Sequence, residues 1–196
     1  MFCVSVFKLI KQDMKRIFYS AVVVVAMAFA NDAQAQKNPI VGGAAMYATK
    51  DIVDNAVNSK DHTTLVAAVT AAGLVETLKT AGPFTVFAPT NAAFDKLPAG
   101  TVGTLVKPEN KNTLTTILTY HVVAGKLGTK EVAAAIKAGG GKAELTTVQG
   151  GKLWIYMEGK KVMLKDEKGG TAMVTIADVF QSNGVIHVID TVLMPK

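Results

Sequence analysis

Few side chains in this 196-residue chain could do chemistry, and their spacing decides which chemistry is open to them. Ser182, His187 and Asp190 have the residue types of a nucleophile, a base and an orienting acid. Ser182, however, stands beside Asn183-Gly184, a turn signal, while His187 and Asp190 follow along one strand-like run, so the hydroxyl is expected to serve the turn. His121 and His187 each sit inside apolar β-like runs, between Tyr120 and Val122 and between Ile186 and Val188, where a buried, hydrogen-bonded imidazole is the expected state. His62 follows an N-cap-like Asp61 and is expected at the surface of a first helical turn. No His pair has metal-ligand spacing, neither G-x-S-x-G nor H-E-x-x-H occurs, and the single Cys precludes C-x-x-C. Gly139 to Lys142 ends in Gly-Lys, but Ile136 stands where a phosphate loop needs its first Gly and Ala143 where it needs a hydroxyl. The expectation is a protein with no catalytic residue, metal site or cofactor.

Composition narrows the class further. With 49% hydrophobic and 18% charged residues and one Cys, the chain is neither disordered nor a disulfide-stapled miniprotein. Its length suits one domain. Lys15-Arg16 followed by the apolar run Ile17 to Ala30 and two small-x-small sites reads as a secretory leader, residues 14–35, cleaved after Ala35; the start is either Met1 or Met14, and with Met14 residues 1–13 are an upstream extension. The apolar run is too short to span a bilayer as a helix, and no second one follows. Residues 1–35 hold four basic and two acidic residues, so without them the formal charge falls from +6 to +4. The only cysteine, Cys3, and the only arginine, Arg16, leave with them. The remaining chain has no cysteine for a lipid anchor and no guanidinium for base or phosphate readout, which argues against a nucleic-acid partner. A secreted or periplasmic location with no membrane span after cleavage is the expectation.

The elements that must position the candidate residues follow from apolar spacing. Residues 36–47, with Pro39, Gly42 and Gly43, read as a flexible tether before a single domain over 48–196. Ile52 to Val57, capped by Asp51, and Leu65 to Leu78 have helical spacing and predict two helices ending at Gly82-Pro83. Thr85 to Phe87 reads as a short strand, Ala88-Pro89 as a break, and Asn91 to Lys96 as a helical turn capped by Thr90. Pro108 opens a helix with Leu114, Ile117 and Leu118 inward, whose end delivers Tyr120-His121 into Val122-Val123, and Glu131 to Lys137 is a further short helix. After Gly139 the period changes to strands at Glu144 to Val148, Leu153 to Met157, Lys161 to Leu164 and Thr171 to Ile176, and Asn183-Gly184 turns the chain into Val185 to Ile189. Trp154 and Tyr156 alternate with Leu153, Ile155 and Met157; one face is core, and for the other a packing role is favoured over a binding surface. A helix-rich front and a strand-rich back predict an α+β domain with an antiparallel sheet.

Three ordered blocks then combine into a family resemblance. Gly82 to Phe94 (GPFTVFAPTNAAF) resembles the first signature block of the fasciclin-like domain, Leu118 to Gly125 (LTYHVVAG) its central Tyr-His motif, and Asn183 to Pro195 (NGVIHVIDTVLMP) its second block. Their order and spacing agree over about Ala48 to Pro195. The resemblance implies a wedge-shaped antiparallel β-sheet or sandwich with the helical half packed against it and the two signature blocks paired as neighbouring strands. Thr85, Phe87, Pro89, Thr90, Asn91, Phe94, Asn183, Gly184, His187 and Asp190 are then structural motif residues. It implies a non-enzymatic, extracellular module for cell-surface or matrix adhesion, with a protein or polysaccharide partner. In animal members integrin adhesion is attributed to the Tyr-His region and to an Asp-Ile element. The matching positions here are Tyr120, His121, Asp178 and Val179, with Val in place of Ile. An alternative implied by carotenoid-binding algal members, and compatible with a mean hydropathy of +0.30, is a binding protein for a small apolar ligand such as a carotenoid or lipid.

Overall fold

The structure, a computed structural model, describes residues 38–98 and 100–196. The expected leader at residues 1–35 lies outside the described residues. The described part of the stretch read as a tether is a hairpin. Strands β1 (Ile40–Val41) and β2 (Ala44–Ala45) pair through a Gly42-Gly43 turn, and Val41 and Met46 are buried. The glycines that suggest looseness in the sequence form the turn, and the apolar residues on either side fix it to the core.

Helix α1 (Ile52–Ala56) starts where Asp51 accepts a hydrogen bond from the Asp54 amide at 2.7 Å. A 3₁₀ turn at Lys60–His62 leads into α2 (Thr63–Ala72). The apolar period expected to run on to Leu78 is broken at Gly73, whose left-handed φ of 74° ends α2, so a separate α3 (Val75–Lys79) follows. Strand β3 (Phe84–Pro89) is longer than its apolar triplet. Pro89 closes it instead of breaking it, because a strand's last residue can spare its amide. Helix α4 (Asn91–Asp95) starts where the Thr90 hydroxyl accepts from the Ala93 amide. Helix α5 (Thr101–Leu105), not anticipated from spacing, precedes the Pro108–Asn110 3₁₀ turn and α6 (Lys111–Tyr120). After β4 (Val122–Ala124) and α7 (Thr129–Ala138) come β5 (Lys142–Thr146), β6 (Lys152–Glu158), β7 (Lys161–Lys165), β8 (Thr171–Gln181) and β9 (Gly184–Ile189).

Strands β3 to β9 form one sheet in the order β4-β3-β9-β8-β7-β6-β5. The two signature blocks are indeed neighbours, as the second and third strands of the seven, but β3 and β9 run parallel, from Phe84 opposite Gly184 to Pro89 opposite Ile189. The other neighbouring pairs in this sheet are antiparallel. β9 is buried on both faces, as parallel strands are, and its polar side chain, His187, is hydrogen-bonded to the Leu127 carbonyl. Gly184 is obligatory in this register, since a Cβ there would strike the Phe84 carbonyl. A bridge from Val123 to Thr147 joins the two ends of the sheet, so it curls on itself. The result is an α+β domain with two cores. One lies between the helices and the sheet, with Val86, Leu118, Ile186 and Val188; the other fills the curled sheet, with Phe87, Tyr120, Leu153, Ile155 and Leu193.

Candidate functional site

The Tyr-His pair is carried to the end of α6 by an amphipathic helix whose buried side is Leu114, Ile117, Leu118 and Tyr120. The structure puts both side chains inside. Tyr120 is 0% exposed and His121 3% exposed. The Tyr120 hydroxyl donates to the Lys152 carbonyl at 2.6 Å and accepts from the Glu167 amide at 3.2 Å. Burial pushes its pKa up to about 12, so it remains a phenol. His121 donates through Nδ1 to the Ile117 carbonyl at 2.8 Å and accepts at Nε2 from the Leu193 amide at 3.0 Å. That pattern requires the neutral Nδ1–H tautomer, and burial lowers the pKa to about 4.

Val179 is 1% exposed, inside the helix-facing core. Direct contact between a partner and Tyr120, His121 or Val179 would therefore require the chain to open; in this fold their side chains are interior. Asp178 is only partly buried and takes a left-handed φ of 58° at the irregularity in β8 between Ile176 and Val179. Its carboxylate accepts from the Thr129 amide at 2.7 Å and from the Thr129 hydroxyl. It caps α7 from across the molecule, because the N-cap position is Gly128, which has no side chain. The groups at the surface beside it are Lys126 and Phe180, stacked as a cation over a ring at 5.0 Å.

The remaining motif residues are likewise occupied with backbone. The Thr85 hydroxyl donates to the Gly125 carbonyl at 2.7 Å and accepts from the Leu127 amide at 2.9 Å. His187 donates through Nε2 to the Leu127 carbonyl at 2.7 Å, has Nδ1 facing the Asp178 amide at 3.4 Å, and stacks on Phe87 at 5.8 Å. Burial lowers its pKa as well. Asp190 accepts from the Met173 amide at 2.8 Å and pairs with Lys96 at 3.4 Å. Ser182 lies in the exposed turn and makes no hydrogen bond to His187, whose nitrogens are turned to Leu127 and Asp178, so these residues form no triad.

Asn183 ties three segments together. Its side-chain oxygen accepts from the Ile52 amide at 3.0 Å, and its NH₂ donates to the Leu78 and Thr80 carbonyls at 2.7 and 3.2 Å. Asn183→Ala leaves these groups without partners and is expected to cost about 2–4 kcal/mol in urea unfolding. A change below about 0.5 kcal/mol would show that the bridge is dispensable.

The sequence places His62 at the surface, and this is corrected: it is 3% exposed. His62, Leu65, Val66 and Val69 lie at i, i+3, i+4 and i+7, so the apolar stripe already includes it. Asn91 accepts from the Thr64 amide and donates to the Lys60 carbonyl, locking this turn onto α4. His62 Nδ1 and the Ser59 hydroxyl are hydrogen-bonded at 2.8 Å. The opposite nitrogen, Nε2, is fully enclosed and faces the Ala88 carbonyl, and among the described residues no carboxylate hydrogen-bonds the ring as a catalytic triad requires. Both residues line a cavity of about 340 Å³ between α1, α2, α3 and the sheet, walled mainly by aliphatic side chains.

The family model for the fasciclin domain matches residues 60–195. Protein sll1483 of Synechocystis sp. is 48% identical over 160 residues, covering 82% of each chain. The cell surface glycolipoprotein MPB83 of Mycobacterium bovis is 35% identical over 167 residues, covering 82% of this chain and 68% of that one. Among solved structures, a FAS1 domain pair from the insect cell adhesion molecule fasciclin I superposes with a TM-score of 0.55 at 22% identity, over 71% of this chain and 45% of that one.

Proposed function

The chain belongs to the fasciclin domain family, and on that premise we propose that it is a secreted or periplasmic, non-catalytic module that mediates cell-surface or matrix adhesion by binding protein or polysaccharide. One observation carries this reading. The polar side chains that match the family's motifs are engaged with backbone groups of the same chain: Thr85, Tyr120, His121 and Asn183 bind carbonyls and amides of distant segments, leaving no free base or nucleophile among them. Such residues build a scaffold, and binding falls to what the scaffold exposes. Similarity to a protein named for the cell surface and to a domain pair from an adhesion molecule supports the same reading. In it, Tyr120, His121 and Val179 act as positioning residues, and Asp178 holds the loop that presents Lys126 next to Phe180. Among the described residues no helix is long and apolar enough to cross a membrane.

The test is retention of the purified protein on cell-envelope and matrix material from its own source. Saturable retention by a protein or polysaccharide fraction is expected; no retention on any fraction would refute the reading. A second reading, a binding protein for a small apolar ligand, is favoured by the aliphatic cavity next to His62. A ligand co-purifying at near one-to-one would select it.

A further inference from the structure

A second concavity, polar and about 600 Å³ in volume, opens where β3 and β9 begin side by side. Lys126 and the segments 49–54, 79–83 and 182–184 line it. These segments are fastened to one another. The Ser182 amide donates to the Lys50 carbonyl at 3.0 Å, the Gly125 amide donates to the Pro83 carbonyl at 2.8 Å, and Asn183 bonds the Ile52 amide and the Leu78 carbonyl. The cleft is therefore formed in advance, and binding orders little further.

Three lysines and two aspartates line it, and both aspartates are committed. Asp51 caps α1, and Asp54 pairs with Lys79 at 2.9 Å. Among the described residues Lys50 and Lys126 pair with no carboxylate. Each ammonium lies over a ring instead, Lys50 over Tyr47 at 5.3 Å and Lys126 over Phe180 at 5.0 Å. The rings hold the two charges at the cleft without neutralising them. Thr49 and Ser182 are exposed, and among the described residues neither hydroxyl is hydrogen-bonded to the chain.

Resting on the adhesion reading above, we propose that this cleft is where the module holds an acidic polysaccharide, with uronate carboxylates on Lys50 and Lys126 and sugar hydroxyls on Thr49 and Ser182. Three features select this class. Two cations without carboxylate partners are complementary to anionic groups. Side-chain hydroxyls, which both donate and accept, match the hydroxyls of a sugar. At the ~30 Å³ that a water-sized group occupies, 600 Å³ takes about twenty non-hydrogen atoms, or roughly one to two sugar units of a longer chain. The lining offers an acidic peptide neither a strand edge, an aliphatic groove nor an arginine, so the sugar is favoured.

The experiment titrates the protein with tetragalacturonate, with its methyl ester and with poly-L-glutamate, in wild type and in the double variant Lys50→Gln, Lys126→Gln. Both lysines are exposed, so the variant is expected to melt as wild type does. The expected result is saturable binding of tetragalacturonate that shifts the Ser182 and Gly184 amide resonances and weakens as salt rises from about 0.02 to 0.2 M. Affinity should fall roughly five-fold for each lysine removed, and the methyl ester should bind wild type no better than tetragalacturonate binds the variant. Equal affinity of wild type and the variant would overturn the assignment to Lys50 and Lys126. Equal or tighter binding of poly-L-glutamate would replace the sugar by an acidic protein and overturn the ligand class. If tetragalacturonate does not bind while envelope or matrix material still retains the protein, this inference fails and the adhesion reading stands. If neither holds the protein, both fail.

Discussion

Tyr120→Ala is expected to destabilise the domain by about 3–5 kcal/mol, the range for deleting a fully buried aromatic side chain, and to lower the melting temperature by roughly 10 °C. The ring fills the core of the curled sheet with Phe87, Leu153 and Leu193, so its removal leaves a cavity among side chains that are themselves fully buried. The hydroxyl adds a second effect, since it bridges the Lys152 carbonyl and the Glu167 amide and so ties the β5–β6 and β7–β8 connections to the end of α6. Tyr120→Phe isolates that bridge and should cost about 1–2 kcal/mol. Equilibrium urea unfolding measures both. Melting of Tyr120→Ala unchanged from wild type would contradict a structural role for the residue.

The second large effect is acid destabilisation centred on His121. An unfolded histidine titrates near 6.5, whereas burial lowers that of His121 to about 4 in the folded chain. Between these values the unfolded state binds the extra proton, so stability rises with pH across this window. The contribution is present above pH 6.5 and is lost as pH falls toward 4, about 3 kcal/mol for a shift of this size. His62 and His187 are shifted in the same direction, again chiefly by burial, and add to the loss. The carboxylates with lowered pKa, such as Asp190, give up their contributions at lower pH, below the ordinary carboxylate range. Urea unfolding at about pH 7, 5.5 and 4.5 checks the slope, and His121 resonances that titrate with an ordinary midpoint near 6.5 in the folded protein would contradict it.

The parts of the fold legible in the sequence are those with local causes. Asp51 and Thr90 cap helices because their side chains reach the next amides, and a tight turn is legible near Asn183-Gly184, although the pairing of Gln181 with Gly184 makes Ser182-Asn183 its two central residues and Gly184 the first residue of β9. What is illegible depends on distant partners. The parallel pairing of β3 with β9 joins segments about a hundred residues apart, and only the close approach of Gly184 to the Phe84 carbonyl reveals it. The hairpin at Ile40 to Ala45 looks loose in the sequence because its glycines are visible there and its contacts are not. Spacing correctly makes His121 and His187 buried and hydrogen-bonded, yet it does not say that Asp178 serves as the cap that Gly128 lacks. His62 is misplaced when Asp61 is weighed as a helix signal and the apolar stripe is not followed back by one turn.

The central claim is that the buried motif side chains build a scaffold for adhesion and do not themselves touch the partner. It is tested most directly by comparing wild type and Tyr120→Phe for retention on envelope and matrix material from the source, at a temperature where both are fully folded. The account predicts saturable retention of both proteins with equal affinity, because the Tyr120 hydroxyl is taken up by Lys152 and Glu167. Retention of wild type together with loss of retention by a fully folded Tyr120→Phe would contradict it.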